Sequence, residues 1–350
     1  MRIAAVSSAL PAQVHTQAEL AHHVREHWWA DRPELLRRLD ALWGNLRIER
    51  RHLALPLAEY AQLRDFGDFN DAWIRCATDL AATALQGALR RAGLGQRDVD
   101  TVLFTSVTGI ASPSIDARLV NRLGLRPDVK RLPLFGLGCV AGAAAIARAA
   151  DLVRGDPQAV VAVISVELCS LTVQRDDPGL ANVIATGLFG DGAGCVLVVG
   201  SARRATGPAI VATQSVFYPD TEDVMGWRIG KHGFGIVLSP AVPRMAREHL
   251  GPDVDAFLAP HGLARRDIAA WICHPGGPKV LEGARDSLGL TDADVALSWE
   301  CLRDVGNLSS ASVLLILERT LASLPLRPGQ HAVLLAMGPG FCSELVLLRG

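Results

Sequence analysis

The sequence lacks the features that define several large classes of protein. It has no excess of positive charge, with 35 Lys and Arg against 36 Asp and Glu and a formal net charge of −1. Nucleic acids and anionic membrane surfaces attract basic fields, so we expect no nucleic-acid partner. No apolar run is long enough to span a bilayer, and the longest, such as residues 159–166, have the length of strands. We therefore expect no integral membrane association and a small-molecule ligand.

The cysteine pattern lacks any pairing signal. Seven cysteines are widely spaced, odd in number and free of CxxC pairs, so neither a disulfide framework nor a metal site is predicted. The N-terminal MRIAAVSSALP is typical of a short strand and not of an export signal. These features favour a cytoplasmic protein with reduced thiols.

Strand and helix patterns alternate along most of the chain and then repeat. A polar, helical segment is predicted over residues 12–70, followed by an amphipathic helix over 71–93 that ends at Gly93. Later segments reappear at a nearly constant offset of about 170 residues. The counterparts are 98–106 with 267–275, 138–154 with 306–321, 159–166 with 332–337, and 193–200 with 341–350. Such an offset predicts an α/β protein with an N-terminal half, 1–205, and a C-terminal half, 206–350.

The repeat predicts where the chemistry lies. If the halves pack about a pseudo-twofold axis, their two apolar helices are buried between two mostly parallel sheets and the helix starts meet. Cys139 and Asn307 stand at those starts, and His274 follows a predicted strand. A thiol at a helix N-terminus beside an imidazole is expected to have a lowered pKa, and the amide can stabilise an oxyanion. The trio suits acyl transfer, although a thiol hydrolase would use the same residue types.

Five segments together resemble the type III polyketide synthases of the chalcone synthase superfamily. They are PLFGLGCVAGAAAIARAADLVRG (133–155), GLFGDGAGCVLV (187–198), HPGGPKVLE (274–282), GNLSSASVLLILE (306–318) and MGPGFCSELVLLR (337–349). The resemblance implies a homodimer of thiolase-fold (αβαβα) subunits. It also implies an acyltransferase that loads an acyl-CoA on cysteine and extends it with malonyl-CoA, both as substrates, with no separate cofactor. A β-ketoacyl-ACP synthase III-like enzyme, which performs one condensation, is the alternative within the same fold.

The resemblance assigns roles to individual residues. Cys139 becomes the acyl-carrying nucleophile, kept ionised by His274, and His274 and Asn307 stabilise the thioester oxyanion and the enolate. Phe189 and Phe234 correspond to phenylalanines that line the entrance from the CoA side, with a plain core role as the alternative. Basic residues that meet the CoA phosphates are implied at Arg47, Arg50 and Arg51, where a solvated charged face is the alternative.

The resemblance also identifies residues that shape the substrate cavity: Thr108, Ala111, Ser112, Cys169, Thr172, Met337 and Gly338. Most are small, and each buried CH₂ of a lipid starter gains about 0.8 kcal/mol, which favours a medium- or long-chain fatty acyl starter. We therefore expect an alkylpyrone or alkylresorcinol synthase. A malonyl-primed tetrahydroxynaphthalene-type synthase is the alternative, against which no cysteine lies between residues 77 and 138. Glu167 is expected to act structurally near the cyclisation machinery, and Asp191 to fix a turn.

Overall fold

The computed structural model describes residues 1–350 and consists of thirteen strands and eleven α-helices. The strands are β1 (Arg2–Ala9), β2 (Gln13–Thr16), β3 (Arg50–Leu53), β4 (Thr101–Thr105), β5 (Lys130–Leu134), β6 (Val160–Leu168), β7 (Asp191–Val199), β8 (Ala209–Phe217), β9 (Met225–Gly230), β10 (Gly233–Leu238), β11 (Ile268–Cys273), β12 (His331–Gly338) and β13 (Cys342–Arg349). The helices are α1 (Gln17–His27), α2 (Pro33–Gly44), α3 (Leu57–Tyr60), α4 (Phe66–Ala92), α5 (Ile115–Leu123), α6 (Ala141–Gly155), α7 (Leu180–Leu188), α8 (Val242–Leu258), α9 (Pro278–Leu288), α10 (Ala296–Val305) and α11 (Ser312–Ser323).

Nine strands form one mixed sheet in which the two halves of the chain have the same topology. The strand order is β11-β12-β13-β8-β1-β7-β6-β4-β5. In the N-terminal half β4 runs parallel to β6, β6 antiparallel to β7, and β7 antiparallel to β1. In the C-terminal half β11, β12, β13 and β8 repeat those relationships in the same sequence. The repeat predicted from the sequence is therefore present, and the halves join where Arg2 pairs with Ala209.

Helices cover and separate the two halves of the sheet, which gives the predicted αβαβα layers. The middle layer contains α6 and α11, whose buried side chains share one core cluster with residues from both half-sheets. An outer cluster packs α4 against β4, β6 and β7, and another packs α8 and α9 against β11, β12 and β13. Gly142 allows the central helices to approach, since a Cβ there would lie 2.2 Å from the Ser310 carbonyl oxygen. The few charges in these helices reflect this burial.

Two local predictions are wrong in detail. Residues 12–70 are not wholly helical, because they include β2 and β3. These two strands pair antiparallel, and α1 and α2 lie between them in the sequence. Helix α4 begins at Phe66 rather than at residue 71, since the Asp65 side chain accepts a hydrogen bond from the Asp68 backbone N–H and caps the start. It ends as predicted at Gly93, whose φ is 65°. None of the helices combines the length and apolar character that a bilayer span requires.

Candidate active site

The three proposed catalytic residues are buried at the ends of elements in the middle of the molecule. Cys139 is 5% exposed and lies in a single 3₁₀ turn directly before α6. Asn307 follows α10 and precedes the turn Ser309–Ala311 that leads into α11, so it also lies near the start of a central helix, although it is five residues before that helix and Cys139 is two before α6. His274 comes directly after β11, where its backbone N–H bonds to the Leu335 carbonyl oxygen at 2.9 Å. The repeat thus delivers the thiol and the amide, and a strand end delivers the imidazole.

A chain of hydrogen bonds connects these residues. The Cys139 Sγ donates to Ser309 Oγ at 3.5 Å, and the Ser309 backbone N–H donates to Asn307 Oδ1 at 2.7 Å. The Asn307 Nδ2 donates to the Gly276 carbonyl oxygen at 3.3 Å, and the Gly276 N–H donates to the His274 carbonyl oxygen at 3.1 Å. The thiol, the amide and the segment that carries the imidazole therefore belong to one connected group.

Ser309 was not predicted from the sequence, although it is the hydroxyl nearest to the thiol. It is buried, and its backbone φ is 47°, a value that residues other than glycine seldom adopt. A non-glycine residue in that region is strained, and such strain concentrates at functional sites. The only sequence signal is its place two residues after Asn307 in the Asn-Leu-Ser-Ser segment.

The His274 imidazole has both ring nitrogens buried and without a hydrogen-bond partner. Burial lowers the pKa of His274 to about 3, so the ring is neutral. It borders a cavity whose other lining residues are mostly apolar: Met225, Val242, Leu250, Gly276, Val280, Ala284, Leu335, Met337 and Phe341. Buried polar groups nearly always find a partner, so an unpaired imidazole beside a cavity is available to donate to a substrate oxygen.

Burial works against the ionised thiol that the sequence predicts at Cys139. Burial raises the pKa of Cys139 to about 12, and the nearby Glu167 charge acts in the same direction, while the hydrogen bonds of Ser309 and Asn307 lower it. The sequence argument counted the helix N-terminus but not the cost of removing a thiolate from water. Moreover, α6 begins at Ala141, two residues after the thiol. In this structure burial therefore favours a thiol and a neutral imidazole over the predicted ion pair.

Glu167 forms the centre of a polar network beside the nucleophile. It is fully buried in β6, and its carboxylate accepts hydrogen bonds from the Val107 backbone N–H at 3.1 Å, Ser106 Oγ at 3.2 Å, Thr108 Oγ1 at 3.0 Å and Ser310 Oγ. Burial raises the pKa of Glu167 to about 7, against the lowering effect of these bonds. From the sequence, Glu167 was identified only through the resemblance to the family.

Thr108 belongs to this network rather than facing a cavity with its hydroxyl. Its Oγ1 accepts from the Leu168 backbone N–H at 2.9 Å and from Trp73 Nε1 at 3.2 Å, and donates to Glu167. A hydroxyl group donates one hydrogen bond and accepts two, so these three bonds satisfy it fully. The role of Thr108 as a cavity residue stays a prediction.

A second cavity brings together four of the residues predicted from the sequence. Cys169, Thr172, Phe189 and Phe234 all line it, together with Val173, Asn182, Ala185, Thr186, Trp227 and Ile236. Phe234 is 2% exposed, with ring centroids 5.6 Å from Phe66 and 5.9 Å from Trp227. This cavity has small residues at Cys169 and Thr172 and aromatic rings around them.

The remaining predicted cavity residues lie elsewhere. Met337 lines the cavity beside His274. Gly338 supports the nucleophile turn, since a Cβ there would lie 2.7 Å from the Val140 backbone nitrogen. Ala111 packs against the outer core of the N-terminal half, and Ser112 is exposed, so neither lines either cavity in a single chain. Their loop is held at the surface because the Asn70 side chain hydrogen-bonds both backbone polar groups of Ile110.

The three arginines expected at the CoA phosphates divide into two kinds. Arg47 and Arg50 have exposed side chains, paired with Glu282 at 3.2 Å and with Asp304 at 3.6 Å. Arg51 is 4% exposed, and its guanidinium donates to the carbonyl oxygens of Thr186 and Phe189. Neighbouring residues of a strand point to opposite sides, so β3 directs Arg50 outward and Arg51 inward. The prediction that Arg51 meets a CoA phosphate is therefore wrong.

Comparisons with known proteins identify the class. The model for the N-terminal domain of chalcone and stilbene synthases matches residues 1–202, and the model for their C-terminal domain matches 209–350. The chain belongs to the chalcone and stilbene synthase family. It is a type III polyketide synthase, an acyltransferase with the thiolase fold.

Individual relatives narrow the comparison. The chain is 51% identical to the 1,3,6,8-tetrahydroxynaphthalene synthase of Streptomyces peucetius, over 99% of this chain and 92% of that protein. The crystal structure of 1,3,6,8-tetrahydroxynaphthalene synthase from Streptomyces coelicolor superposes with a TM-score of 0.94 at 30% identity, covering 100% of this chain and 99% of that one. The structure of PKS-I from the brown alga Ectocarpus siliculosus gives 0.91 at 27% identity, covering 99% and 97%.

Proposed function

We propose that this polyketide synthase uses malonyl-CoA as both starter and extender and forms 1,3,6,8-tetrahydroxynaphthalene or a closely related aromatic product. The observation that carries the proposal is the 51% identity with a 1,3,6,8-tetrahydroxynaphthalene synthase across nearly the whole chain. The carbon count of the product agrees with this starter. A naphthalene skeleton has ten carbons, which five malonyl units supply as two carbons each after five losses of carbon dioxide.

Loading of the first unit would take place on Cys139. The thiol transfers its proton to His274, and the sulfur attacks the thioester carbonyl and expels CoA. Two groups could donate to the resulting oxyanion: the protonated imidazole and the Asn307 amide. Both starting groups are neutral in the buried site, so creating the ion pair is the costly step. Donors aimed at the oxyanion offset that cost in the transition state.

Extension would use the same donors at a different stage. Loss of carbon dioxide from malonyl-CoA leaves an enolate, and hydrogen bonds from His274 and Asn307 stabilise its oxygen. The enolate carbon attacks the thioester on Cys139, a carbon–carbon bond forms, and the cysteine is released as a thiolate. Phe189 is bridged to Asn307 through the backbone, and an apolar ring at that place would favour conversion of a charged carboxylate into neutral carbon dioxide.

The aromatic lining of the cavity beside Cys169 agrees with an aromatic product. Phe189, Phe234 and Trp227 surround the space next to Cys169 and Thr172. Flat rings pack well against aromatic walls. The expected alkylpyrone or alkylresorcinol product rested on the small residues and on the resemblance of GLGCVAGAA (136–144) and SVELCSLT (165–172) to bacterial synthases of that kind. The absence of a cysteine between residues 77 and 138 argued against the tetrahydroxynaphthalene reading, but it is one local feature against similarity over the full chain.

Product analysis tests the proposal. The purified protein would be incubated with radiolabelled malonyl-CoA, alone and with hexanoyl- to palmitoyl-CoA, and the products identified by mass spectrometry. We expect a labelled C₁₀ aromatic product from malonyl-CoA alone and no product that contains an alkyl chain. Cys139→Ala is the matched negative control. Product formation only in the presence of a fatty acyl-CoA would refute the malonyl-primed reaction and restore the lipid-starter expectation.

We also propose that the protein acts as a homodimer in the cytoplasm. Ile110 and Phe135 are large apolar side chains that are 46% and 52% exposed, on loops next to the edge of the sheet formed by β5. Exposed apolar residues near an unpaired edge favour association. All seven cysteines are free, which suits a reducing compartment. Light scattering after size exclusion tests the dimer, and Ile110→Asp should shift it toward monomer.

A further inference from the structure

Arg51 stands out because it is a buried charge whose hydrogen bonds all go to neutral groups, although the charge of the buried Asp191 carboxylate also acts on it. Its partners are all neutral: Nε donates to Gln17 Oε1 at 3.0 Å, and Nη1 donates to the carbonyl oxygens of Thr186 at 2.6 Å and Phe189 at 2.9 Å. The guanidinium also lies 5.3 Å from the centre of the Trp43 ring. Burial lowers the pKa of Arg51 to about 10, so it stays charged at neutral pH. A buried cation that is not hydrogen-bonded to a carboxylate is costly, so its direct contacts with neutral carbonyl groups call for a reason.

The two carbonyl groups belong to the end of helix α7. The last carbonyls of a helix have no partner within the helix and carry its partial negative charge, so a cation there is favourable. Arg51 therefore fixes the point at which α7 stops and the chain turns to Phe189. No other side chain donates to the Phe189 carbonyl oxygen.

That same point is bonded to the main chain of Asn307. The Asn307 N–H donates to the Leu188 carbonyl oxygen at 2.9 Å, and the Gly190 N–H donates to the Asn307 carbonyl oxygen at 3.0 Å. Phe189 and Asn307 thus form an isolated parallel bridge. On the other side, a Cβ at Gly306 would lie 3.2 Å from the Cγ and Cδ of Arg51. Arg51 therefore contacts both segments of the bridge: its guanidinium bonds to the Phe189 segment, and its Cγ and Cδ pack against the Asn307 segment at Gly306.

From these contacts we propose that Arg51 is a positioning residue, which holds the Phe189–Asn307 bridge so that the Asn307 amide faces Cys139. The inference rests on the proposed roles of Asn307 and Cys139. It does not depend on which product the enzyme makes. It also gives Arg51 a function different from the one proposed for its neighbour Arg50, whose side chain is exposed and lies 3.6 Å from Asp304.

The experiment compares Arg51→Gln, Arg51→Lys and Arg50→Gln, with the exposed helix residue Arg37→Gln as an unaffected control. Carbon dioxide release from malonyl-CoA gives kcat and KM whatever the product is. We expect Arg51→Gln to lower kcat at least about tenfold with KM within about threefold, and Arg51→Lys to recover part of the loss. Arg50→Gln should instead raise KM with little change in kcat. A raised KM at unchanged kcat in Arg51→Lys or Arg51→Gln would overturn the proposal.

Two further measurements test the proposal independently of product formation. The first is alkylation of Cys139 by iodoacetamide, which needs no substrate. Because the Asn307 hydrogen bond lowers the thiol pKa, Arg51→Gln should slow alkylation at least about threefold, whereas Arg50→Gln should not. If Arg51→Gln does not fold, the partial effect in Arg51→Lys serves the same purpose.

The second measurement is a double-mutant comparison. In an Asn307→Ala background, Arg51→Gln should lower kcat by less than about twofold more. A full additional loss would mean that Arg51 does not act through Asn307. Absence of carbon dioxide release by the wild type would refute the proposed function alone, since the alkylation comparison still decides the role of Arg51.

Discussion

The Cys139 thiol and the Ser309 hydroxyl lie 3.5 Å apart, across the junction of the two halves of the molecule. One residue precedes α6 and the other precedes α11, the two helices of the middle layer. The packing of these helices therefore sets the distance between a nucleophile and a group that can stabilise its thiolate. A serine hydroxyl that accepts from a thiol can donate to the thiolate after a small rotation.

Removing this hydroxyl should make Cys139 less reactive. Its hydrogen bond lowers the Cys139 pKa against the effect of burial, so both Ser309→Ala and Ser309→Gly should slow alkylation of Cys139 by roughly threefold or more. The two variants should differ in stability. Glycine adopts a φ of 47° without strain, so the free energy of unfolding of Ser309→Gly should be about 1 kcal/mol higher than that of Ser309→Ala. Equal alkylation rates in wild type and both variants would remove Ser309 from the site.

The pH dependence of alkylation should follow a raised thiol pKa. With the Cys139 pKa near 12 and the His274 pKa near 3, the thiolate fraction is small at neutral pH and rises with pH. We expect the iodoacetamide rate at Cys139 to increase across about pH 6 to pH 9 without a plateau. Peptide mass spectrometry separates Cys139 from the other six cysteines, and Cys139→Ala supplies the blank. A plateau below pH 7 would instead support the thiolate–imidazolium pair that the sequence predicts.

The sequence was sufficient for features that repeat or alternate. The offset between the halves predicted that Cys139 and Asn307 lie near the starts of two buried helices, α6 and α11, but not that Cys139 is two residues before its helix and Asn307 five before its own. These predictions succeed because hydrophobic periodicity and the order of helices and strands can be recognised from short stretches of sequence. The residues that line the cavity with Cys169 and Phe234 came from the resemblance to a family and not from any pattern.

The predictions that failed depend on burial, which a local pattern does not show. Arg50 and Arg51 look alike in a polar segment, and only the pairing of β2 with β3 turns one of them inward. The helix-start argument for Cys139 is correct in sign but is outweighed by desolvation, which appears only after the two halves close over the thiol. Ser309 reaches the site through a backbone conformation that its residue type does not favour.

Glu167 should make stability depend on pH. Its folded-state pKa of about 7 lies above the ordinary value of 4.5, so its contribution is fully present below about pH 4.5 and is lost as pH rises through about 7. The free energy of unfolding should fall over that range by roughly 3 kcal/mol because of this group. Glu167→Gln cannot titrate and should flatten the slope, measured by urea unfolding at a series of pH values. Asp191, whose pKa burial raises to about 6, remains in both proteins and leaves a residual slope. Identical slopes would contradict the assignment.

Gly142 and Gly155 provide a matched pair for testing the close approach of the central helices. Both belong to α6, but a Cβ at Gly142 would lie 2.2 Å from the Ser310 carbonyl oxygen and 2.8 Å from Val313 Cγ1, whereas a Cβ at Gly155 meets nothing within 4 Å. A backbone oxygen cannot move aside cheaply, so Gly142→Ala should force α6 and α11 apart and lower the free energy of unfolding by about 3 kcal/mol. Gly155→Ala should change it by less than about 1 kcal/mol. Because the same displacement moves Cys139 away from Ser309, Gly142→Ala should also slow alkylation of Cys139, and Gly155→Ala should not. Equal stability and equal alkylation rates in the two variants would show that the central helices do not control the geometry of the nucleophile.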